Sequence, residues 1–166
     1  TDNVKDINPP RSLHVECVTL VVKDWNIEKW KGWRENIFTD IKITVPKDCD
    51  NAPKKRILRD FNVSLIMKDY AILLENIADD ITWNIIGGDV IEGKSEFIKK
   101  IDELYKDKIT ELLIHDIITH GYVASAHGKV IGTNEYLHFC HVFKFSGASK
   151  NAKIKKITSY MISVTF

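Results

Sequence analysis

The spacing of hydrophobic residues changes halfway through the segment 56–93. In its first part, apolar side chains recur every three or four residues, which predicts a helix with one buried face. The residues of this apolar stripe are Ile57, Leu58, Phe61, Leu65 and Ile66. A second, shorter helix is predicted through Ile72 and Ile77, and the carboxylate pair at 79–80 is expected to end it.

The pattern then becomes that of a β-strand. Ile81, Trp83 and Ile85 alternate with polar residues, and β-branched and aromatic residues favour a pleated, half-buried strand. The glycines that follow at 87–88 predict a turn, and Gly93 precedes a new amphipathic segment. The predicted order is therefore helix, helix, carboxylate pair, strand, turn and helix.

The remainder of the chain alternates in the manner of strands. After a helix predicted over residues 94–106, four strand-like segments follow in succession, which predicts an antiparallel meander. Their sequences are ELLIHDIIT, YVASAHGKVIG, EYLHFCHVFKF and KIKKITSYMISVTF. Because helices come first and strands later, the pattern favours an α+β fold over a parallel, doubly wound sheet.

The first 50 residues are predicted to form an accessory segment. A helix is expected from Ser12, with Leu20 and Val21 on its buried face, and a strand is expected over residues 38–45. Three blocks of this segment match later blocks in the same order, so it is either a truncated repeat of the first helix and strand or an unrelated amphipathic segment. In both cases it should lie on the rest of the protein. Its three tryptophans should cover apolar surface: Trp25, Trp30 and Trp33.

The ordered pattern "aDDitW…GG…i.Gk..f", read from residue 78 onwards, resembles the start of the nuclear transport factor 2-like superfamily, in particular its SnoaL-like and ketosteroid isomerase-like members. The resemblance covers residues 51–166. It implies a cystatin-like α+β fold, in which a curved antiparallel sheet wraps around N-terminal helices to form a cone. The open end of such a cone is a pocket for small, mostly apolar molecules. The same cone carries isomerases, cyclases, hydrolases and pure binders, so the resemblance does not define an activity.

The composition excludes several functional classes. The 44% hydrophobic and 28% charged residues are ordinary for a soluble globular protein, and the net charge of +1 gives no electrostatic reason to expect nucleic acid or a membrane as partner. Cys17, Cys49 and Cys140 form no CxxC motif and cannot all pair with one another. A reduced, cytoplasmic protein without a signal peptide is the simplest interpretation.

The segment 135–145 carries the candidate chemistry. Side chains alternate between the two faces of a strand, so His141 shares one face with Phe139 and Phe143. A single polar group among large apolar ones suits the wall of a binding pocket. The resemblance implies that ketosteroid isomerase-like proteins carry a carboxylic acid at the position of His141, where it donates a hydrogen bond to the substrate oxygen.

The same resemblance argues against steroid-type proton transfer. The position of the general base corresponds to Ile85, and the position of the helical tyrosine corresponds to Phe61; neither side chain can exchange a proton. His141 can still act as a donor, an acceptor or an acid–base group, and it can equally be a core histidine bonded to backbone or water. In apolar surroundings its pKa is expected to fall, which leaves a neutral ring at pH 7.

No cofactor is predicted, and no metal site. Five histidines lie between residues 115 and 141, but His138 and His141 point to opposite faces of one strand. His138 and Cys140 share a face without a third ligand at a recognised spacing. The glycines at 87–88 are not followed by the residues of a phosphate-binding loop.

These observations predict a protein that binds a small, largely apolar molecule in the cone. One alternative is an isomerase, cyclase or hydrolase that uses His141, and another is a protein-interaction module that uses the outer face of the sheet. The expected pocket residues are Phe61, Leu65, Trp83, Ile85, Phe97, Phe139, His141, Phe143, Ile157, Ser159 and Met161. The outer face is apolar enough to predict a homodimer, unless the N-terminal segment covers it. Its residues on the strand 135–145 are Tyr136, His138, Cys140 and Val142.

Overall fold

The computed structural model describes residues 20–22, 41–48 and 51–166. Within these ranges it contains eight strands and three helices. In chain order they are β1 (Leu20–Val22), β2 (Ile41–Thr44), α1 (Pro53–Met67), α2 (Tyr70–Asn76), β3 (Ile77–Ile85), β4 (Val90–Glu92), α3 (Lys94–Leu104), β5 (Ile109–His120), β6 (Val123–Gly132), β7 (Glu135–Phe145) and β8 (Ile154–Thr165).

All the described strands belong to one sheet, in the order β1-β2-β5-β6-β7-β8-β3-β4. Strands β5 to β8 pair antiparallel in succession, which confirms the predicted meander. Strand β3 pairs with β8 in parallel and with β4 antiparallel. The first strand after α1 and α2 is therefore paired with the last strand of the chain. This pairing brings β3 and β8 together, although they lie far apart in sequence.

Local features at the ends of α1 and α2 explain where these helices begin and end. Pro53 occupies the first turn of α1, where its missing N–H costs nothing, and Lys68 ends the helix in a left-handed conformation with φ 54°. Asp69 caps α2 by accepting a hydrogen bond from the amide of Ile72 at 3.3 Å. In the described part of the chain, no helix is both long and apolar enough to cross a membrane.

One predicted boundary is wrong. The pair at 79–80 was expected to end the second helix, but the strand β3 already begins at Ile77, which is buried. The two carboxylates instead lie exposed within the strand, next to Lys94 and Lys155 respectively. The pairing of β3 with β8 shifts register between Ile77 and Thr82, and this irregularity allows the strand to include them.

The N-terminal residues differ from the prediction at one point. Leu20–Val22 form β1 and not part of a helix, while Ile41–Thr44 form a strand inside the predicted range 38–45. Strand β2 pairs in parallel with the edge of β5, because an open strand edge leaves its backbone hydrogen-bonding groups free to take a partner. Residues 20–22 match residues 65–67 in the proposed repeat, yet the later residues are helical. The three N-terminal tryptophans and the rest of the predicted helix lie outside the described residues.

Deletion of residues 1–50 is expected to leave residues 51–166 folded but less stable. The deletion removes the buried side chains of Ile41, Ile43 and Val45 and exposes the edge of β5. Thermal unfolding followed by circular dichroism should show a lower Tm with a retained cooperative transition. Loss of the transition would show that the N-terminal segment belongs to the folding core.

Small residues on β6 face large ones on β7. Ala124, Ala126 and Gly128 are buried, and each lies beside an aromatic ring in the pairing of the two strands. The paired residues are Ala124 with Phe143, Ala126 with His141, and Gly128 with Phe139. Small residues of β6 thus border the rings of β7 on the buried face of the sheet around His141.

Lys54 connects the start of α1 to two loops. Its ammonium group donates hydrogen bonds to the backbone oxygens of Gly121 at 2.6 Å and Gly147 at 3.0 Å, and it lies 4.8 Å from the ring centre of Phe145. Gly121 follows β5 and Gly147 follows β7. A buried lysine therefore holds these two loops to the first turn of the long helix.

Candidate functional site

The inner face of β7 is buried along its second half. Phe139, His141 and Phe143 are inaccessible to solvent, whereas His138 on the opposite face is exposed. Strand alternation explains this arrangement, because neighbouring side chains point to opposite faces of the sheet. His141 thus lies on the concave side of the sheet, together with the apolar residues that its sequence neighbours supply.

His141 belongs to a small polar group that we call the inner polar cluster: Trp83, Ser159 and His141. The pairing of β7 with β8 places Ser159 directly beside His141. The pairing of β3 with β8 places Ile85 on the other side of Ser159. The indole Nε1–H of Trp83 donates to Ser159 Oγ at 2.7 Å. Ser159 Oγ also lies 2.6 Å from Nδ1 of His141.

The ring of His141 is held between aromatic neighbours. The ring of Phe139 is stacked on it, with 4.7 Å between ring centres and 17° between planes, and Phe143 approaches at a steeper angle with 6.0 Å between centres. These contacts fix the plane of the imidazole. Its Nδ1 is hydrogen-bonded to Ser159, and its Nε2 makes no hydrogen bond to any described residue.

Burial lowers the pKa of His141 to about 4, because a charged imidazolium loses its hydration in the interior. The predicted direction of the shift is confirmed, and the ring is neutral at pH 7. A neutral imidazole has one donor and one acceptor nitrogen. It can therefore orient an uncharged ligand without bringing a charge into an apolar site.

A closed aromatic cluster lies beside the inner polar cluster. Phe61 of α1 packs edge-on against Phe143, with 5.8 Å between ring centres, and against Phe97 of α3 at 6.3 Å. Trp83 joins the same cluster at 5.2 Å from Phe97. All four rings are essentially inaccessible to solvent, so they form a packed aromatic part of the core.

The structure places all eleven predicted pocket residues on elements that surround the same interior. Ten are buried and Met161 is half-buried, opposite Phe139 in the pairing of β7 with β8. Phe61 and Ile85, at the positions where the resemblance implies a tyrosine and a general base, both face this interior without a proton to exchange. His141 is thus the one titratable side chain among the eleven.

The remaining histidines of the strands do not assemble into a metal site. His127 lies 2.8 Å from a carboxylate oxygen of Asp116, and its ring centre is 5.6 Å from that of His115, on the outer face. Among the residues that the structure describes, no three His, Cys, Asp or Glu side chains could hold one metal ion. Cys140 is unpaired and lies 3.7 Å from the hydroxyl of Ser125.

The burial of a charged residue in the middle of α1 was not predicted. Arg59 on α1 is inaccessible to solvent, and its Nε donates to the carboxylate of the neighbouring Asp60 at 2.9 Å. It lies outside the apolar stripe, where a charged residue is normally assigned to solvent. Arg59 is buried because almost all of the residues 58–67 of α1 are buried. This burial arises from tertiary packing, so the sequence pattern of the helix alone does not predict it.

A polar groove of about 330 Å³ opens on the outside of the protein between β4 and α3. Its residues are Asp89, Val90, Ile91, Glu92, Glu96, Lys99, Lys100 and Glu103. None of them was predicted as a site residue. The two lysines are already paired: Lys100 with Asp89 at 2.8 Å and Lys99 with Glu96 at 2.8 Å. Four carboxylates against two lysines leave the groove with an excess of negative charge, and Glu92 makes no ion pair with a described residue.

Comparison with known proteins gives structural relatives only. No protein-family model matches the sequence, and no curated protein matches it. An NTF2-like protein of unknown function from Cytophaga hutchinsonii ATCC 33406 shares 23% identity, over 64% of this chain and 96% of that one, with a TM-score of 0.52.

Two enzymes have similar structures. The epoxide hydrolase/cyclase-like enzyme SalBIII, described for pyran ring formation in the polyether salinomycin, shares 14% identity over 71% of this chain and 99% of that one, with a TM-score of 0.59. An LEH-like epoxide hydrolase of M. tuberculosis shares 19% identity over 64% of this chain and 80% of that one, with a TM-score of 0.51. At these identities the similarity establishes the fold. The chain therefore has the nuclear transport factor 2-like fold, an α+β cone, as its sequence predicts.

Proposed function

We propose that this protein binds a small, uncharged and largely apolar molecule on the concave side of the sheet, with His141 as the polar contact. The observation that carries the proposal is the inner polar cluster. It provides a neutral imidazole whose Nε2 has no hydrogen bond to the described residues, in an interior that is otherwise aromatic and aliphatic. A few polar groups in apolar surroundings are typical of small-molecule sites.

The structural relatives support a ligand-binding role without naming a ligand. The two enzymes act on organic substrates within the same fold, and other proteins with this fold have no assigned function. The fold alone does not define the chemistry. A ligand-binding role for this chain therefore depends on its own inner residues, in particular on Phe139 and Phe143, which pack against the ring of His141.

The proposal is tested with a pair of probes of the same shape, acetophenone and ethylbenzene, added to isotope-labelled protein. We expect both to shift the amide signals of β7 and β8, and we expect His141→Phe to keep the fold and to shift the preference towards ethylbenzene. His138→Phe, on the opposite face of the same strand, is the matched control and should bind as the unchanged protein does. Absence of any shift at the inner residues with either probe at millimolar concentration would overturn the proposal.

An enzymatic role is the first alternative. Proteins of this fold include an epoxide hydrolase and a cyclase-like enzyme, and His141 could accept a proton from bound water. Among the described residues, however, its hydrogen-bond partner is the hydroxyl of Ser159 and no carboxylate. Turnover of a substrate that is lost in a folded His141→Ala variant would favour this alternative.

The outer face of the sheet supports a second role, as an interaction surface. Tyr160 and Ile162 on β8 are 51% and 67% exposed, and they lie beside Cys140 and His138 of β7. These residues extend the apolar surface predicted from Tyr136 to Val142. Contiguous apolar residues on an exposed sheet face are typical of protein contacts.

The homodimer remains a prediction, and it can now be tested at a specific residue. If the outer face pairs two copies, Ile162→Lys should weaken the dimer at least about tenfold, because a buried lysine ammonium lacks a partner. Sedimentation at micromolar concentration measures this change. Val90→Lys, at a similarly exposed apolar residue of β4, is the control. A monomeric unmodified protein would contradict the prediction.

A further inference from the structure

The hydrogen atoms of the inner polar cluster have a defined order. An indole nitrogen can only donate, so Ser159 Oγ must accept the 2.7 Å hydrogen bond from Trp83. The hydroxyl then has one hydrogen left to give. Within the described residues, its second hydrogen-bond partner is Nδ1 of His141, at 2.6 Å.

Two arrangements of the bond between Ser159 and His141 are conceivable. If the hydroxyl donates to Nδ1, every polar atom between Trp83 and His141 is satisfied. If instead Nδ1–H donates to Oγ, the buried hydroxyl hydrogen has no acceptor among the described residues. In the ligand-free protein each arrangement leaves one hydrogen without a partner, Nε2–H in the first and the hydroxyl hydrogen in the second. The second arrangement also leaves the lone pair of Nε2 unpaired, and this additional unsatisfied buried atom favours the first arrangement by roughly tenfold.

We propose that Ser159, held by Trp83, is a positioning residue that donates to Nδ1 of His141 and so presents Nε2–H as a hydrogen-bond donor to the ligand. The stacked ring of Phe139 fixes the plane in which this N–H lies. This inference deepens the proposed binding function and rests on it for the ligand, but the state of the ring is a property of the protein alone.

The ligand class follows from the donor. A fixed Nε2–H selects a molecule with an acceptor oxygen, such as a carbonyl or ether oxygen, within an apolar frame. A group that can only donate would face another hydrogen. The site therefore favours neutral ketones, esters or cyclic ethers over hydrocarbons of the same shape.

The first test uses ligand-free protein labelled with ¹⁵N in histidine. Two-bond ¹H–¹⁵N correlation spectra at pH 7 distinguish the two neutral tautomers of the ring. We expect His141 to carry its hydrogen on Nε2. A hydrogen on Nδ1 would overturn the proposal whether or not the protein binds any ligand.

Variants then test the role of Ser159. In Ser159→Ala the preference should be lost, so that both tautomers are populated and exchange. Ser163→Ala is the matched control: it removes an exposed hydroxyl near the end of the same strand, which donates to the carboxylate of Glu135, and it should leave the spectrum of His141 unchanged. An unchanged tautomer in Ser159→Ala would show that Ser159 does not position the ring.

Binding of acetophenone and ethylbenzene completes the test. The ketone should bind the unmodified protein roughly fivefold more tightly than the hydrocarbon, as expected for one net hydrogen bond. In Ser159→Ala this preference should fall about twofold, because the ketone must then select the fraction of the protein that carries the hydrogen on Nε2. If His141 carries its hydrogen on Nε2 but neither probe binds, the positioning by Ser159 stands and the proposed binding function fails. Equal affinity for both probes in the unmodified protein would overturn the inferred ligand class.

Discussion

Gly128→Ala is expected to lower the free energy of unfolding by about 3 kcal/mol, as overpacking at a site that cannot relax does. A Cβ at this position would lie 1.9 Å from the backbone oxygen of Leu113 on the neighbouring strand β5. That atom belongs to the sheet backbone and cannot turn away as the end of a side chain could. Denaturation in urea, with the variant and the unmodified protein compared at the same pH, measures the change in the free energy of unfolding.

Gly147→Ala is the matched control for this substitution. An added Cβ at Gly147 meets no atom within 4 Å, so we expect a change within about 0.5 kcal/mol. The same small effect at Gly128 would mean that β5 and β6 can separate there without cost. Because Gly128 lies beside Phe139, the substitution should also disturb the ring that stacks on His141.

The second large effect concerns the dependence of stability on pH. His141 has a pKa of about 4 in the folded protein against 6.5 in an unfolded chain. Between these values the unfolded chain binds a proton that the folded protein does not, so stability falls as the pH falls through this window. The loss attributable to His141 amounts to about 3 kcal/mol, from the size of the shift.

His141→Phe removes this loss. The difference in free energy of unfolding between the variant and the unmodified protein should move by about 3 kcal/mol in favour of the variant as the pH falls from 6.5 to 4. His138→Gln, an exposed position on the same strand, should keep the pH dependence of the unmodified protein. If the free energy of unfolding changed with pH in the same way for His141→Phe and for the unmodified protein, this would contradict the burial of the His141 ring.

Local patterns were sufficient to predict most of the fold. Strand β7 spans Glu135–Phe145, the segment that alternation predicts, and α3 follows Gly93 as expected. Alternation is a property of one strand and needs no knowledge of its neighbours. The pairing of β2 with β5 could not be predicted in this way, because it joins residues that lie far apart in sequence.

The residues of the inner polar cluster could be predicted from the sequence, but the contacts between them could not. His141 and Ser159 were both expected at the site, because each occupies an inner position of its strand. Their 2.6 Å contact depends on the register between β7 and β8, which shifts near Phe145. A register displaced by one residue would turn Ser159 to the outer face. The link to Trp83 requires, in addition, the parallel pairing of β3 with β8.

The need for glycine at position 128 was not predictable for a similar reason. A glycine within a strand suggests a bulge or a close approach of backbone, but it does not say which strand approaches. The pairing of β5 with β6 shifts register between Ile114 and Asp116, next to the point where Leu113 comes close. This irregularity lies in β5, and the sequence of β5 alone does not predict it.

The buried amine of Lys54 has a consequence for chemical labelling. Its nitrogen is occupied by the carbonyls of Gly121 and Gly147, whereas the side chain of Lys99 is 73% exposed. An amine-acetylating reagent should therefore modify Lys99 at once and reach Lys54 only when α1 detaches from the two loops. The acetylation rate of this single lysine, read by peptide mass spectrometry, reports how often that end of the protein opens in its native state.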